Sequence, residues 1–260
     1  MTTLRLVVEY DGAGFAGWAT QPGQRTCQQV LTEALQTVLR APVELRVAGR
    51  TDAGVSATGQ VVSVHTDATA DPRRLIRALP AVLPDDLSVR GVARADDGFD
   101  ARRDATSRAY EYRVLNGPRS PVRRGRVLDH PQPLDRDAMA RAAALVEGQH
   151  DFTAFTPTQT QHVFFDRTVY RSRWEPRGDE LVYVVEANAF LRHMVRVLVG
   201  TMLDVGRGRR DVASFARLLD GAARGEAGAT APAHALTLTS VRYPGDPPPE
   251  PAAAPAPGWG

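Results

Sequence analysis

The stretch Ala48-Gly49-Arg50-Thr51-Asp52-Ala53-Gly54-Val55-Ser56-Ala57-Thr58, continuing into Gly59-Gln60, places one carboxylate between two glycines and beside an arginine. Apolar residues alternate over residues 43–48, and a valine-rich run covers residues 59–66, so the pattern predicts two half-buried strands joined by an acidic loop. The two glycines permit unusual backbone angles and leave room for a ligand to approach the main chain. Arg50 would favour the charged form of Asp52, which we expect at a strand end.

On composition alone, this loop has a commoner explanation. It can be an ordinary hairpin loop rich in Asp and Gly, in which Thr51 and Asp52 only cap backbone amides. Loops with this composition are far more frequent than catalytic loops, so other segments of the chain have to decide between the two interpretations.

Two later segments carry further candidate residues. Tyr110 lies in the alternating run 107–114, which predicts a strand with Tyr110 and Tyr112 on one face. Apolar residues at helical spacing predict an amphipathic helix over residues 190–205, with Arg192 and Arg196 one turn apart on a different face, so that Arg196 borders the core. Each segment also has a structural explanation, because a tyrosine on such a strand is usually a core residue and a helix arginine is usually solvated.

The predicted elements occur in the same order twice. The first set is a strand at 4–10, a helix at 26–40, strands at 43–48 and 59–66, a helix at 72–79 and a strand at 87–93. The second set is a strand at 107–114, a helix at 135–147, strands at 168–175 and 181–187, the helix at 190–205 and a strand at 235–243, with an extra helix at 211–220. We therefore expect an α+β protein of two tandem ferredoxin-like β-α-β-β-α-β units, with sheets joined edge to edge around a central cleft.

The predicted domains follow from this order. Residues 1–104 form the first half, with the Asp52 loop, and residues 105–243 form the second, with Tyr110 and Arg196. Residues 244–260 are mostly Pro, Ala and Gly, so we expect a disordered tail.

The motifs quoted above resemble those of the tRNA pseudouridine synthase A family, and the resemblance covers nearly the whole chain up to Tyr243. The loop 49–60 resembles the family's Gly-Arg-Thr-Asp-Ala-Gly-Val-His-Ala-Thr-Gly-Gln, with Ser56 in place of the usual His. Tyr10-Asp11-Gly12 and Gly17-Trp18 resemble its opening elements, although we expect Tyr10 and Trp18 to pack in the core. Residues 108–112 and 190–196 resemble two further motifs, and Arg192 replaces the first of two histidines in the second.

The resemblance implies a pseudouridine synthase fold and a homodimeric isomerase. Its substrate would be uridine in the anticodon arm of tRNA, at positions 38 to 40, bound in the central cleft. Asp52 would be the nucleophile toward a flipped uridine and Arg50 would hold the displaced nucleotide, while Tyr110 would stack on the base and Arg196 would pair with Asp52. Attack at ribose C1′, attack at uracil C6 and elimination to a glycal all remain open. The isomerisation has no net redox change, so no cofactor is expected.

Composition restricts the other classes of function. The net charge is only +2, and all 32 basic residues are arginine, which suits RNA phosphates but is also typical of a GC-rich genome. One cysteine and six histidines without paired spacing do not indicate a metal site. The N-terminus lacks a signal-peptide pattern and no run approaches about 18 apolar residues, so we expect a cytoplasmic protein without a membrane partner.

Two other functions remain to be tested against the isomerase. One is a catalytically silent RNA-binding protein built from the same tandem units, although binding alone gains nothing from a carboxylate that faces phosphate. The other is a carboxylate-dependent hydrolase such as a glycosidase, which normally needs two acids flanking the bond. Asp11 is the only other carboxylate in a family-like motif.

Overall fold

The secondary structure follows the predicted order of elements in residues 2–160 and 162–246, the part of the chain that the computed structural model describes. The strands are β1 (Thr2–Tyr10), β2 (Glu44–Val47), β3 (Ser56–Thr66), β4 (Leu87–Arg94), β5 (Ser107–Leu115), β6 (Leu128–Asp129), β7 (Gly148–Asp151), β8 (Asp166–Arg177), β9 (Glu180–Ala187) and β10 (Leu236–Arg242). The α-helices are α1 (Cys27–Leu39), α2 (Pro72–Ala78), α3 (Arg136–Ala144), α4 (Met194–Gly206) and α5 (Val212–Arg217). The predicted α+β class is therefore confirmed.

The first compact unit comprises the residues up to Arg108 together with Pro232–Pro244. Its strands are ordered β4-β1-β3-β10, and β1 pairs antiparallel with both β3 and β4. β2 pairs antiparallel with the later part of β3, whereas β10 pairs in parallel with Ser56 and Ala57 at its start. The segment between β2 and β3 contains Asp52. It leaves the sheet at the end of β2 and re-enters it at the start of β3, beside β10.

Local sequence explains the elements of this unit. Leu4, Leu6 and Val8 alternate along β1 and are fully buried, as expected for a strand with one face on a core. Helix α1 begins after Thr26, whose Oγ1 accepts a hydrogen bond from the Gln29 amide at 3.4 Å. The helix ends at Leu39, and the next residue, Arg40, has a left-handed φ of 53°.

The second compact unit is built on Ala109–Ala231. Its strands are ordered β5-β9-β8-β7, and β6 pairs in parallel with β5. Nearly every residue of α4 is buried, which is typical of a helix inside a core rather than on its surface. The indole N–H of Trp174 on β8 donates to the sulfur of Met202 on α4 at 3.4 Å, so this helix and strand share one core.

Three local predictions differ from the structure. Strand β3 begins at Ser56 rather than residue 59, because Val8 pairs with Gln60 and Tyr10 with Ala57, which leaves a bulge at 58–59 that hides the alternation. Helix α4 begins at Met194 rather than residue 190, since His193 has a left-handed φ of 62° that a helix does not accommodate. Arg192 therefore lies outside the helix, and its predicted place one turn from Arg196 on a helix face is wrong.

The remaining differences concern short or late strands. β6 and β7 have two and four residues, too few for an alternating pattern to be recognised. β10 closes the predicted second repeat in sequence, and it belongs to the first unit in the structure. The halves 1–104 and 105–243, their joined sheets and the cleft stay predictions. The predicted disorder of the tail falls, from residue 247 onward, outside the described residues.

Within residues 2–160 and 162–246, no helix combines the length and apolar character that crossing a membrane requires.

The close packing of β3 against β10 predicts a strong effect of one methyl group. A Cβ at Gly59 would overlap the carbonyl oxygen of Thr239, so Gly59→Ala should lower the free energy of unfolding by about 2 kcal/mol. Gly91→Ala is the matched control, because its Cβ would meet no atom nearer than 3.9 Å. Urea unfolding measures both, and an equal loss of stability in the two variants would contradict the predicted contact.

Candidate active site

Asp52 lies in a tight turn between β2 and β3. The Val55 amide donates to the Asp52 carbonyl oxygen at 3.1 Å and closes this turn, and Gly54 within it has a φ of +80°, a conformation that favours glycine. The Asp52 side chain is half-buried, Thr51 is buried and Arg50 is exposed. The carboxylate is therefore carried on ordered backbone at the edge of the core.

The backbone of residues 12–18 holds this turn from one side. The Trp18 amide donates to the carbonyl oxygen of Thr51 at 3.1 Å, and the Gly54 amide donates to that of Phe15 at 3.4 Å. Gly17 has a φ of +98°, and a Cβ there would lie 2.9 Å from the Thr51 carbonyl oxygen. Only glycine suits this position, because any side chain would push the two segments apart.

Buried polar side chains hold the loop from the other side. The hydroxyls of Tyr10 and Thr51 share a hydrogen bond of 2.7 Å. The side-chain nitrogen Nε2 of Gln60 donates to the carbonyl oxygen of Gly49 at 2.7 Å and to the Tyr10 hydroxyl at 3.3 Å. Each such bond contributes about 0.5–1.5 kcal/mol, and breaking one inside the protein costs more, because the remaining partner is left without water.

Arg108 anchors the beginning of the same loop. Its guanidinium donates twice to the carbonyl oxygen of Ala48, at 3.0 and 2.8 Å, and once to that of Arg102 at 2.8 Å. The residue is only 8% exposed. No sequence motif points to Arg108 or Gln60 as a site residue. The only signal for Arg108 is its place on the Tyr110 face of β5, where a charged residue needs buried partners.

The second unit carries Tyr110 and Arg196. Tyr110 is 8% exposed and contacts Phe190 edge to face, with ring centroids 5.0 Å apart. Arg196 is half-buried, as its predicted position at the border of the core requires, and its Nε donates to the carbonyl oxygen of Ala231 at 2.8 Å. The Ala231 amide donates back to the Arg196 carbonyl oxygen at 3.1 Å, so the loop before β10 fixes this arginine.

A small residue on α4 allows this anchoring. A Cβ at Gly200 would overlap the carbonyl oxygen of Ala229, so the loop lies directly on the helix backbone one turn after Arg196. On the same strand as Tyr110, Tyr112 is fully buried, and burial raises the pKa of its hydroxyl while the Arg196 charge opposes the rise. Tyr112 is therefore a neutral residue that packs in the core.

The four predicted site residues fall in two groups. Asp52 and Arg50 lie in the first unit, and Tyr110 and Arg196 lie in the second. The predicted pairing of Arg196 with Asp52 stays a prediction. Tyr10 and Trp18, at 3% and 1% exposure, are core residues, which confirms that part of the sequence analysis.

Other reactive groups are poorly suited to nucleophilic chemistry. Cys27 is buried, and burial raises the pKa of its thiol to about 12, so it is protonated at neutral pH. Within the described ranges 2–160 and 162–246, no group of three or more His, Cys, Asp or Glu side chains could hold a metal ion. The half-buried carboxylate of Asp52 on its ordered turn is the better candidate.

Comparison with known proteins identifies the family of this chain. The family model described as tRNA pseudouridine synthase matches residues 142–244, which include α4 and β10. A tRNA pseudouridine synthase A of Frankia casuarinae is 46% identical over 251 residues, covering 95% of this chain and 91% of that protein. The chain belongs to the tRNA pseudouridine synthase A family.

Other members of the tRNA pseudouridine synthase A family are similar over the same extent. The protein of Methylobacterium nodulans is 44% identical and covers 94% of this chain and 97% of its own length, and that of Brevibacillus brevis is 40% identical and covers 94% and 100%. One chain in a crystal structure of a Cbf5-Nop10-Gar1 complex matches 90% of this chain over 48% of its own length, at 13% identity and a TM-score of 0.39.

The hydroxyl network predicts which change loosens the Asp52 turn. Tyr10→Phe removes the hydrogen bond to Thr51, so hydrogen exchange at the Trp18 and Val55 amides should become about tenfold faster. Tyr183→Phe is the control, because it removes a similar buried bond of 2.7 Å, to Ser172, in the second unit. Amide exchange measured by NMR tests this expectation, and equal exchange rates at these two amides in both variants would refute it.

Proposed function

We propose that this protein isomerises uridine to pseudouridine in the anticodon arm of tRNA, at positions 38, 39 and 40, with Asp52 as the nucleophile. The observation that carries the proposal is the turn Asp52–Val55, which presents a half-buried carboxylate on backbone tied to residues 15 and 18. Membership of the tRNA pseudouridine synthase A family supports the same reaction and substrate class.

The chemistry suits a lone carboxylate. The bond between N1 of uracil and C1′ of ribose breaks, the base turns, and C5 joins C1′. The proton on C5 leaves to water and N1 gains one, so atoms and electrons balance without an oxidant, a reductant or a cofactor. A nucleophile that is held in place before substrate arrives lowers the barrier, because the ordering cost is met during folding.

The other site residues act on the flipped nucleotide and on Asp52. Arg50 is exposed two residues before Asp52 and holds the displaced nucleotide. Tyr110, whose ring packs edge to face against Phe190, stacks on the base, a contact worth about 1–3 kcal/mol. Arg196, anchored on Ala231, pairs with Asp52.

The domain organisation completes the proposal. Residues 1–104 and 105–243 supply the two walls of a central cleft that binds the anticodon arm. The enzyme acts in the cytoplasm, as a homodimer in which one subunit positions the body of the tRNA for Asp52 of the other.

The contacts of Asp11 weaken the hydrolase alternative. A glycosidase needs two carboxylates across the scissile bond. The Asp11 carboxylate instead accepts a hydrogen bond from the Ala13 amide at 3.1 Å and caps the short helical turn Gly12–Gly14. It therefore serves the turn that packs beside the Asp52 loop.

Release of tritium from uridine C5 tests the reaction. With tRNA labelled at a single uridine at position 38, 39 or 40, the wild-type protein should release tritium to water, and Asp52→Asn should lower the rate by roughly a thousandfold or more. Asp97→Asn, an exposed carboxylate of the same unit, should leave the rate unchanged.

Each other outcome of this assay has a distinct meaning. Tight tRNA binding without release by the wild type would identify a silent RNA-binding protein. Cleavage of the glycosidic bond to free uracil would identify a hydrolase. Unimpaired release by Asp52→Asn would remove Asp52 from its role while keeping the synthase.

The proposed homodimer predicts the particle mass. Size-exclusion chromatography with light scattering at micromolar concentration should give about twice the 28.2 kDa of one chain. A mass of one chain throughout this range would contradict the proposal.

A further inference from the structure

Ser56 forms a buried hydrogen bond where the pairing of β1 with β3 ends. The last pair between these strands is Tyr10 with Ala57. The Gly12 amide lies just past the end of β1, and it donates to Oγ of Ser56 at 3.1 Å. The serine hydroxyl thus takes the place of a strand partner for this amide.

The same bond joins the two turns that meet at the Asp52 loop. A Cβ at Gly12 would overlap the carbonyl group of Val55, so the backbones at Gly12 and Val55 are in direct contact. At the other end of this contact, the Gly54 amide donates to the carbonyl oxygen of Phe15. Turn 12–15 and turn 52–55 are therefore joined by a hydrogen bond at each end, and Ser56 accepts one of these two bonds.

Loss of the hydroxyl would act on Asp52 through the backbone. The Gly12 amide is buried, so without an acceptor it would move to find another partner or water. Because Val55 contacts Gly12 and its amide closes the turn on Asp52, this movement would shift the carboxylate. Small displacements of a reacting group lower rates steeply, by up to about a hundredfold for 1 Å.

We propose that Ser56 is a positioning residue for Asp52. The Ser56 hydroxyl links the Asp52 turn to the Gly12 turn, and we call this link the latch. This inference rests on the proposed function. It also gives a role to the one position in the loop motif where the chain has serine and the family usually has histidine. A short hydroxyl reaches the Gly12 amide directly, with the side chain in the core at 7% exposure.

A matched control lies on the same strand. Ser63 is also on β3, is fully buried, and accepts a hydrogen bond from the Ala101 amide at 3.2 Å. Ser63→Ala therefore removes the same group from a similar environment, seven residues further from Asp52 along the chain. The two variants separate a loss of stability from a loss of positioning.

The experiment compares Ser56→Ala, Ser56→Thr and Ser63→Ala with the wild type. Ser56→Ala should lower kcat for tritium release at least tenfold, with KM for tRNA unchanged, because the RNA-binding surface is intact. Ser56→Thr keeps the hydroxyl and should restore most of kcat. Ser63→Ala should lower the melting temperature by a similar amount and keep kcat within twofold of the wild type.

Several results would overturn the latch. A kcat for Ser56→Ala within twofold of that for Ser63→Ala would mean that the hydrogen bond between Ser56 and Gly12 contributes to stability alone. Tritium release by the wild type would still support the proposed function in that case. Hydrogen exchange at the Val55 amide adds a measurement that needs no activity: it should be faster in Ser56→Ala than in Ser63→Ala. Equal exchange at the Val55 amide in the two variants would refute the latch, whether or not the wild type releases tritium. Absence of tritium release by the wild type would refute the proposed function, which is a separate result.

Discussion

Direct contact between two stretches of backbone is the constraint on which the rest of the first unit depends. Gly12 and Gly17 approach the carbonyl groups of Val55 and Thr51 too closely for any side chain to intervene. Contact of this kind leaves each segment little freedom, because the carbonyls and amides must be satisfied by each other. The acidic loop is therefore part of the packed structure, although its sequence is typical of a mobile surface turn.

Polar groups buried around this contact favour one geometry over its alternatives. Tyr10, Thr51, Gln60 and Arg108 all make hydrogen bonds to the loop or within it, and each would be costly if left without a partner. An apolar core would tolerate a small shift of the loop, whereas this network does not. Such rigidity suits the proposed role of Asp52, a nucleophile that is in position before the nucleotide binds.

In the second unit, a helix and a loop together hold Arg196 in place. Arg196 stands near the start of α4, just after the left-handed residue His193, and the loop that ends at Ala231 lies on Gly200 and accepts its Nε–H. The sequence pattern correctly indicated that Arg196 borders the core. The sequence pattern could not indicate where the helix begins, because the helical spacing of apolar residues continues on both sides of His193 and says nothing about the backbone conformation of that residue.

The sequence by itself determined the order of the elements, the α+β class, the burial of Tyr10 and Trp18, and the motif that singles out Asp52, because all of these depend on local periodicity and residue type. Only the tertiary structure decided that β10 joins the first unit, that β3 begins at Ser56, and that the Ser56 hydroxyl serves Gly12. These features depend on strand register and on contacts between residues more than forty positions apart, such as Gly12 with Ser56. Periodicity says which face a residue takes, but it does not say which distant backbone group that residue will meet.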